Sequence, residues 1–192
     1  MISTRMFLHI VFYVFYFLSL TYYRMVNTFL PYANFNKCAK VLDDKRLGKQ
    51  RVEAKQIINI LSGQSSSTAW RSHPAVLMWK GHLKALQLYY NTIVNEWIRR
   101  GFTNNMPIFK IKGDVTMPWF IGNKSFHLSF QANLLRKNLA YYSKYFKEVP
   151  KKYILYTYIW PSKLTNDQIK LLQLSHKKIV DIELVTTKHV KI

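Results

Sequence analysis

The segment Leu42–Ile58, LDDKRLGKQRVEAKQII, restricts more than any other stretch how this chain can fold. Apolar side chains recur in it at helical spacing and continue a few residues further, namely Leu47, Ala54, Ile57, Ile58 and Leu61. This spacing predicts a helix with one face in a protein core. Asp44 has a short acceptor side chain that can cap the first turn, and the glycine of Ser62-Gly63 can end the helix.

A second face of the same helix carries positive charge around one acid. Arg46, Lys49 and Glu53 are spaced i, i+3 and i+7, so their side chains lie on the same side. A cationic face of this kind can bind a polyanion. Its carboxylate can either pair with Lys49 at i,i+4 or take part in acid–base chemistry. The residues of this segment alone leave both interpretations open.

The charge balance narrows the class of partner. The chain of 192 residues has 29 Lys+Arg against 9 Asp+Glu, which gives a formal net charge of +20. Such an excess favours nucleic acid first and an anionic membrane surface second. The single cysteine, Cys38, excludes an intrachain disulfide and a cysteine-rich zinc site, and its apolar neighbours predict a core position. With no metal-ligand spacing and no phosphate-binding glycine loop in the sequence, we expect neither a metal nor a cofactor.

The longest helical pattern lies in the middle of the chain. Apolar residues recur every three or four positions over residues 75–97, which predicts one helix of about 26 residues. Ser72 or His73 can cap this helix ahead of the proline that follows. Gly101 can end it.

Other stretches complete a mostly helical chain. Phe35–Leu42 follows the capping residue Asn34, and Ser125–Leu139 again shows helical spacing. Residues 102–123 are rich in glycine and proline, which predicts a long irregular connection with a short extended piece at Ile108–Lys112. We therefore expect a mostly α fold, with a single compact helical domain and long irregular connections.

The two ends differ from this domain. Residues 1–24 form a hydrophobic N-terminal extension, whose Phe7–Tyr23 is at the short limit for spanning a bilayer. The extension can be a membrane anchor, a signal peptide, or the product of an upstream start codon with Met25 as the true first residue. Residues 162–192 form a basic C-terminal tail, in which Thr165 can cap an amphipathic helix.

Aromatic and basic residues alternate near the end of the domain. Tyr141–Phe146 reads YYSKYF, and Pro150–Pro161 reads PKKYILYTYIWP. Bases stack on aromatic rings and phosphates pair with lysine, so this composition suits a nucleic-acid surface. The same rings could instead pack a small C-terminal core, and the sequence does not separate these two alternatives.

Taken in order, several motifs resemble one enzyme family. They are the arm at Met25–Tyr32, RLGKQRVEAKQI at residues 46–57, WRSHPAVLMW at Trp70–Trp79, RRGF at Arg99–Phe102 and FHLSFQANLLRKNLAYYSKYF at Phe126–Phe146. This order resembles the pyrimidine-dimer DNA glycosylases, the family of the phage endonuclease V that acts on cyclobutane dimers. The similarity is greatest to the bacterial and viral branch, and it covers residues 25–161.

The resemblance implies a bifunctional DNA glycosylase and AP lyase that acts on damaged double-stranded DNA without a metal or cofactor. In that family the α-amine of the mature first residue attacks C1′ of the damaged nucleotide and forms an imine. The matching catalytic positions here are Glu53, in RVEAKQ, and Val26, which carries an amine only if the chain begins there. We expect a monomer that works inside the cell with DNA, in a nucleus, a nucleoid or a viral factory.

Basic and aromatic residues of the same motifs are the expected DNA contacts: Arg46, Lys49, Arg51, Arg71, His73, His127, Arg136, Lys137, Tyr142 and Lys144. Two other functions remain open from the sequence. One is a non-catalytic basic protein that binds nucleic acid. The other is a basic protein tethered to a membrane, which could involve only residues 7–23.

Overall fold

The structure is a computed structural model that describes residues 26–65, 70–149 and 158–174. The predictions for residues 1–24, for most of Pro150–Pro161 and for the tail after residue 174 lie outside these ranges. None of the helices in the described ranges has the length and apolar character that a bilayer crossing requires.

The described chain contains seven α-helices and one 3-10 helix, without a strand. The helices are α1 Phe35–Val41, α2 Asp44–Leu61, α3 Pro74–Leu77, α4 Leu83–Arg99, α5 Lys124–Lys137, α6 Leu139–Tyr142 and α7 Asn166–Leu174, with the 3-10 helix at Pro161–Lys163. The mostly α fold class is therefore confirmed. The irregular connection after α4 is also present, but the extended piece predicted at Ile108–Lys112 forms no strand.

The N-terminal cap of α2 lies one residue earlier than predicted. Asp43 has an extended backbone, and its carboxylate accepts a hydrogen bond from the backbone N–H of Arg46 at 2.9 Å. Asp44 is instead the first helical residue, and its carboxylate pairs with Arg100 at 2.8 Å. Two adjacent aspartates can both supply the cap, and the sequence does not show which of them has the extended backbone.

The single long helix predicted for residues 75–97 is wrong. Two helices, α3 and α4, occupy this stretch, and a turn separates them. Gly81 in that turn has a φ of +82°, in the left-handed region that breaks a helix. His73 does cap the first of the two helices, because its Nδ1 accepts a hydrogen bond from the N–H of Ala75 at 3.2 Å. The helical spacing of apolar residues continues across this turn, so the sequence pattern does not show that the helix is interrupted there.

The core lies where α2 and α1 pack against α4. The predicted core face of α2 is confirmed at Leu47, Ala54, Ile57 and Ile58, while Leu61 is only half-buried. The largest fully buried side chains of the rest of the core include Trp79, Tyr89, Tyr90, Phe126 and Phe130. Cys38 is buried as predicted, and burial raises the pKa of its thiol to about 12, so the thiol is protonated at neutral pH.

Candidate active site

Residues 26–31, here called the arm, form a buried segment that is neither helix nor strand, and no strand lies beside it in the described part of the chain. Side chains supply the hydrogen-bond partners of its backbone. The backbone N–H of Phe29 donates to Gln50 Oε1 at 2.8 Å, and Gln50 Nε2 donates to the carbonyl of Asn27 at 2.9 Å. The hydroxyl of Tyr89 lies 3.0 Å from the carbonyl oxygen of Phe29. These bonds satisfy backbone groups that burial would otherwise leave unpaired.

Other helices and loops hold the rest of the arm. His127 Nδ1 lies 2.7 Å from the carbonyl of Leu30, and Gln131 Nε2 donates to the carbonyl of Pro31 at 2.8 Å. The indole N–H of Trp79 donates to the hydroxyl of Thr28 at 3.0 Å. The arm is therefore fixed by side chains from α2, α4, α5 and the turn after α3.

Glu53 lies beside the first residues of the arm and is only 5% exposed. Its Oε2 accepts a hydrogen bond from Gln50 at 2.8 Å, and its Oε1 pairs with the ammonium of Lys49 at 3.3 Å. The backbone N–H of Asn27 also donates to this carboxylate. Burial raises the pKa of Glu53, while Lys49, the Asn27 N–H and Lys137 act in the opposite direction. A carboxyl group in this balance can both hold and release a proton.

Val26 precedes Asn27 and is itself buried. Standard covalent geometry puts the nitrogens of consecutive residues at most about 3.7 Å apart. The nitrogen of Val26 therefore lies one peptide unit from the amide that donates to Glu53. The two predicted catalytic positions, 27 residues apart in the sequence, are neighbours in the fold.

Four cations form a cluster, here called the basic rim, of which Lys49 and Lys137 act on Glu53: Arg46, Lys49, Arg136 and Lys137. Lys137, at the end of α5, is within electrostatic range of the other three and of Glu53. Burial around its ammonium and the three neighbouring cations lower the pKa of Lys137, and Glu53 opposes that shift. Arg46 also pairs with Asp43. The rim brings together residues from α2 and α5 that are 90 positions apart in the sequence.

Arg51 contacts Trp97 and Asn104 and is not part of the basic rim. Its guanidinium lies over the ring of Trp97, 4.3 Å from the centroid, and donates to Asn104 at 2.9 Å. Trp97 stacks in turn on Phe102, with 4.1 Å between the ring centroids. This packing gives Arg51 a structural role beside the loop after α4.

The two candidate histidines are also held by structural contacts. His73 caps α3 and packs edge-on against the rings of Trp70 and Trp160. His127 accepts a hydrogen bond from the N–H of Gly122 through Nε2 at 2.9 Å, so its Nδ1 carries the proton that it donates to the arm. Burial lowers the pKa of His127, which favours this neutral form. Arg71 is an exposed residue near α3.

The basic-aromatic run at 141–146 contains both buried and exposed side chains. Tyr142 is fully buried, and its hydroxyl donates to Asp43 at 2.9 Å, so its ring cannot stack on a base. Lys144 is exposed and lies over Tyr141 and Tyr145, 4.2 and 5.1 Å from their ring centroids. Tyr145 is exposed as well.

Sequence reasoning missed the side chains that hold the arm, among them Gln50, Trp79, Tyr89 and Gln131. One signal was present for Gln50. It lies three residues after Leu47 and four before Ala54, on the apolar face of α2. A polar side chain at a core position needs buried partners, and those partners are here the arm and Glu53.

A sequence model of the pyrimidine dimer DNA glycosylase family matches residues 26–110. This region of the chain is similar to that family. The match includes the arm, α1, α2, α3 and α4, and therefore both Val26 and Glu53. The family resemblance inferred from the motifs is thus confirmed over this region, although the match does not distinguish a bacterial or viral branch. No curated protein and no solved structure matches the chain.

Proposed function

We propose that this protein is a DNA repair glycosylase and AP lyase that acts on damaged double-stranded DNA, with pyrimidine dimers as its lesion. The family match supports the substrate class. The placement of the Val26 nitrogen beside the buried carboxylate of Glu53 supports the chemistry. The proposed chemistry depends on this one observation, the placement of the Val26 nitrogen beside Glu53.

The nucleophile in this proposal is the α-amine of Val26. The active form then begins at Val26, because only a terminal nitrogen is an amine, and removal of Met25 would expose it. An α-amine has a pKa near 8, so roughly a tenth or more of it is neutral at pH 7. The basic rim increases the neutral fraction, because neighbouring positive charge lowers the pKa of an amine.

The proposed reaction begins with attack of the amine on the sugar of the damaged nucleotide. The neutral amine attacks C1′ of the damaged nucleotide, the bond from C1′ to the base breaks, and the base leaves with the electron pair and gains a proton. Glu53 accepts a proton from the attacking nitrogen and returns it to the sugar ring oxygen, so that the ring opens to an imine. Loss of a proton from C2′ then expels the phosphate at C3′ and cuts the strand. Water hydrolyses the imine and restores the amine.

DNA binding in this proposal depends on the basic rim. Its lysines and arginines neutralise phosphates around the damaged nucleotide, so affinity falls as salt rises. The carboxylate of Glu53 is buried, and a sugar can approach it only after the nucleotide leaves the stack. A damaged base costs less to unstack, which favours lesions over intact DNA.

Borohydride trapping tests the proposal. The full chain and a form whose first residue is Val26 would each be incubated with duplex DNA that carries an abasic site or a pyrimidine dimer. We expect a covalent adduct in the Val26 form, mapped to its terminal nitrogen by peptide mass spectrometry. Intact DNA binding without any adduct would exclude the lyase activity.

A non-catalytic DNA-binding protein is the second candidate. In the full chain the nitrogen of Val26 is an amide and cannot form an imine, whereas the basic rim is unaffected. The mass of the first peptide of the native protein separates the two candidates. A native chain that begins at Met1 and binds DNA without cutting it would favour the second.

A further inference from the structure

Gln50 is a fully buried residue of α2 with four hydrogen-bonding partners. Its Oε1 lies 2.8 Å from the N–H of Phe29 and 2.6 Å from the hydroxyl of Tyr89. Its Nε2 lies 2.9 Å from the carbonyl of Asn27 and 2.8 Å from Glu53 Oε2. One side-chain amide therefore contacts the arm on two residues, a tyrosine of α4 and the acid of the candidate site.

The partners fix which way the amide faces. The N–H of Phe29 is a donor and requires an oxygen, whereas the carbonyl of Asn27 and the carboxylate of Glu53 are acceptors and require N–H groups. The two hydrogens of the NH₂ group are thus divided between the arm and the acid. A reversed amide would direct two hydrogens at one donor and an oxygen at two acceptors.

We propose that Gln50 is a positioning residue, which sets the separation between the Val26 nitrogen and the Glu53 carboxylate because one amide group binds both the arm and the acid. The catalytic consequence rests on the proposed function, while the placement itself does not. Trp79, His127 and Gln131 bind the arm further along, at Thr28, Leu30 and Pro31. Lys49 contacts Glu53 from the same helix.

A pair of matched variants tests the catalytic part. Gln50→Met keeps the volume of the side chain but removes its hydrogen bonds, and Gln131→Met makes the same change at the other end of the arm. In the form that begins at Val26, we expect borohydride trapping to slow by about 100-fold in Gln50→Met, since small misplacements of reacting groups have effects of this size. DNA affinity should be unchanged, because Gln50 is fully buried. Gln131→Met should change the rate by less than about threefold.

A second measurement is independent of activity and uses the full chain. The carboxyl carbon of Glu53 would be followed by NMR against pH in the wild type and in Gln50→Glu. The charged and titratable groups that face Glu53 are Lys49 of α2, Lys137 of α5, Tyr89 of α4 and Tyr158. A new carboxyl group beside Glu53 should raise the apparent pKa of the pair.

The same variant gives a signature that a merely structural role would not. Once protonated, the new carboxyl group has an O–H that can donate to Glu53 or Asn27 as the amide does. The trapping rate of Gln50→Glu relative to wild type should therefore recover as the pH falls. Gln50→Glu also keeps the length of the side chain, so it serves if Gln50→Met does not fold.

The outcomes separate the two proposals. A wild type without any adduct would defeat the proposed function, while the NMR titration would still decide the placement of Gln50. An unchanged Glu53 titration in Gln50→Glu would overturn that placement. Equal trapping rates in folded Gln50→Met and wild type would overturn the positioning role.

Discussion

Two buried glutamates on neighbouring helices have opposite electrostatic surroundings. Glu53 of α2 is 5% exposed and Glu96 of α4 is 6% exposed, so solvent exposure does not distinguish them. Burial is nevertheless the largest influence on the pKa of Glu53, whereas for Glu96 it ranks below the bonds to Arg99. Glu96 accepts hydrogen bonds from Arg99 at 2.7 Å and from Arg100 at 2.9 Å. Bonds to Arg99 lower the pKa of Glu96 most, and Arg100 adds to the shift against the effect of burial.

The donors of Glu53 are different in kind. Two of them, the side chain of Gln50 and the backbone of Asn27, are neutral, and among the described residues the bonded cation is Lys49 at 3.3 Å. Burial therefore outweighs the stabilising contacts, and the pKa of Glu53 is raised. Charged donors favour the ionised form of Glu96 and hold its pKa below the usual value. Neutral donors leave Glu53 able to exchange a proton, which is the property of a catalytic acid or base.

The largest expected effect is on DNA cleavage. Glu53→Gln should reduce cleavage of dimer-containing DNA by about 10³-fold, because it removes the group that carries protons. DNA binding in a gel-shift assay should persist. Glu96→Gln is the matched control, since it removes a carboxylate of similar solvent exposure, and it should keep cleavage in any fraction that remains folded. Normal cleavage by Glu53→Gln would remove Glu53 from the mechanism.

The second largest effect is expected on the stability of the fold, when the arginine partners of Glu96 are removed. Arg100→Met should lower the free energy of unfolding by about 3 kcal/mol, because it removes the more buried of the two arginines that pair with Glu96 and leaves the mostly exposed Arg99 on this carboxylate. Arg100 also bonds to the carbonyls of Ala39 and Leu42 and to Asp44. The control Arg99→Met removes a mostly exposed partner and should lose clearly less stability than Arg100→Met. Urea unfolding measures both, and equal losses would contradict the comparison.

The two glutamates should also give pH dependences of opposite sign. The folded state binds the Glu53 proton more tightly than the unfolded state, so wild type should lose stability relative to Glu53→Gln as pH rises through the raised pKa. The lowered pKa of Glu96 acts the other way. Wild type should lose its advantage over Glu96→Gln as pH falls through that pKa. Both trends would appear in the melting temperatures of wild type and the two variants between pH 3 and 8, a range around the usual pKa values of carboxyl groups.

The smallest effect on stability is expected at Lys49, which is half exposed at the edge of the candidate site. Lys49→Met should change the free energy of unfolding by less than about 1 kcal/mol. It should nevertheless move the acidic limb of the cleavage rate to higher pH, because Lys49 is the main charge that favours ionised Glu53. An unchanged limb would mean that Glu53 does not titrate in the reaction.

Local patterns in the sequence were sufficient for much of the fold. Apolar spacing predicted the core face of α2, and the cap at Asn34 followed from local chemistry. Helix α5 was predicted at Ser125–Leu139, but it begins one residue earlier and ends two residues earlier. The turn at Gly81 was missed because apolar spacing continued across it. The identity of the α2 cap was missed because Asp43 and Asp44 have the same chemistry.

The candidate site was less accessible to sequence reasoning. The residues alone left Glu53 between a surface ion pair and an acid–base role, and only the family resemblance favoured the second. That Gln50 and Tyr89 hold the arm could not be read from any local pattern, because such contacts join residues 21 to 60 positions apart. The roles of Val26 and Glu53 remain predictions for the experiments above.

The arm has a consequence for the order of folding. Its backbone is completed by side chains that lie 21 to 100 residues later in the chain, so its hydrogen bonds close large loops. Such contacts form only after the helices that carry them have met. During refolding, the amide of Phe29 should therefore gain protection from hydrogen exchange after the amides of α2 and α4. We therefore expect the segment that carries the proposed nucleophile to take its place after the helices that hold it.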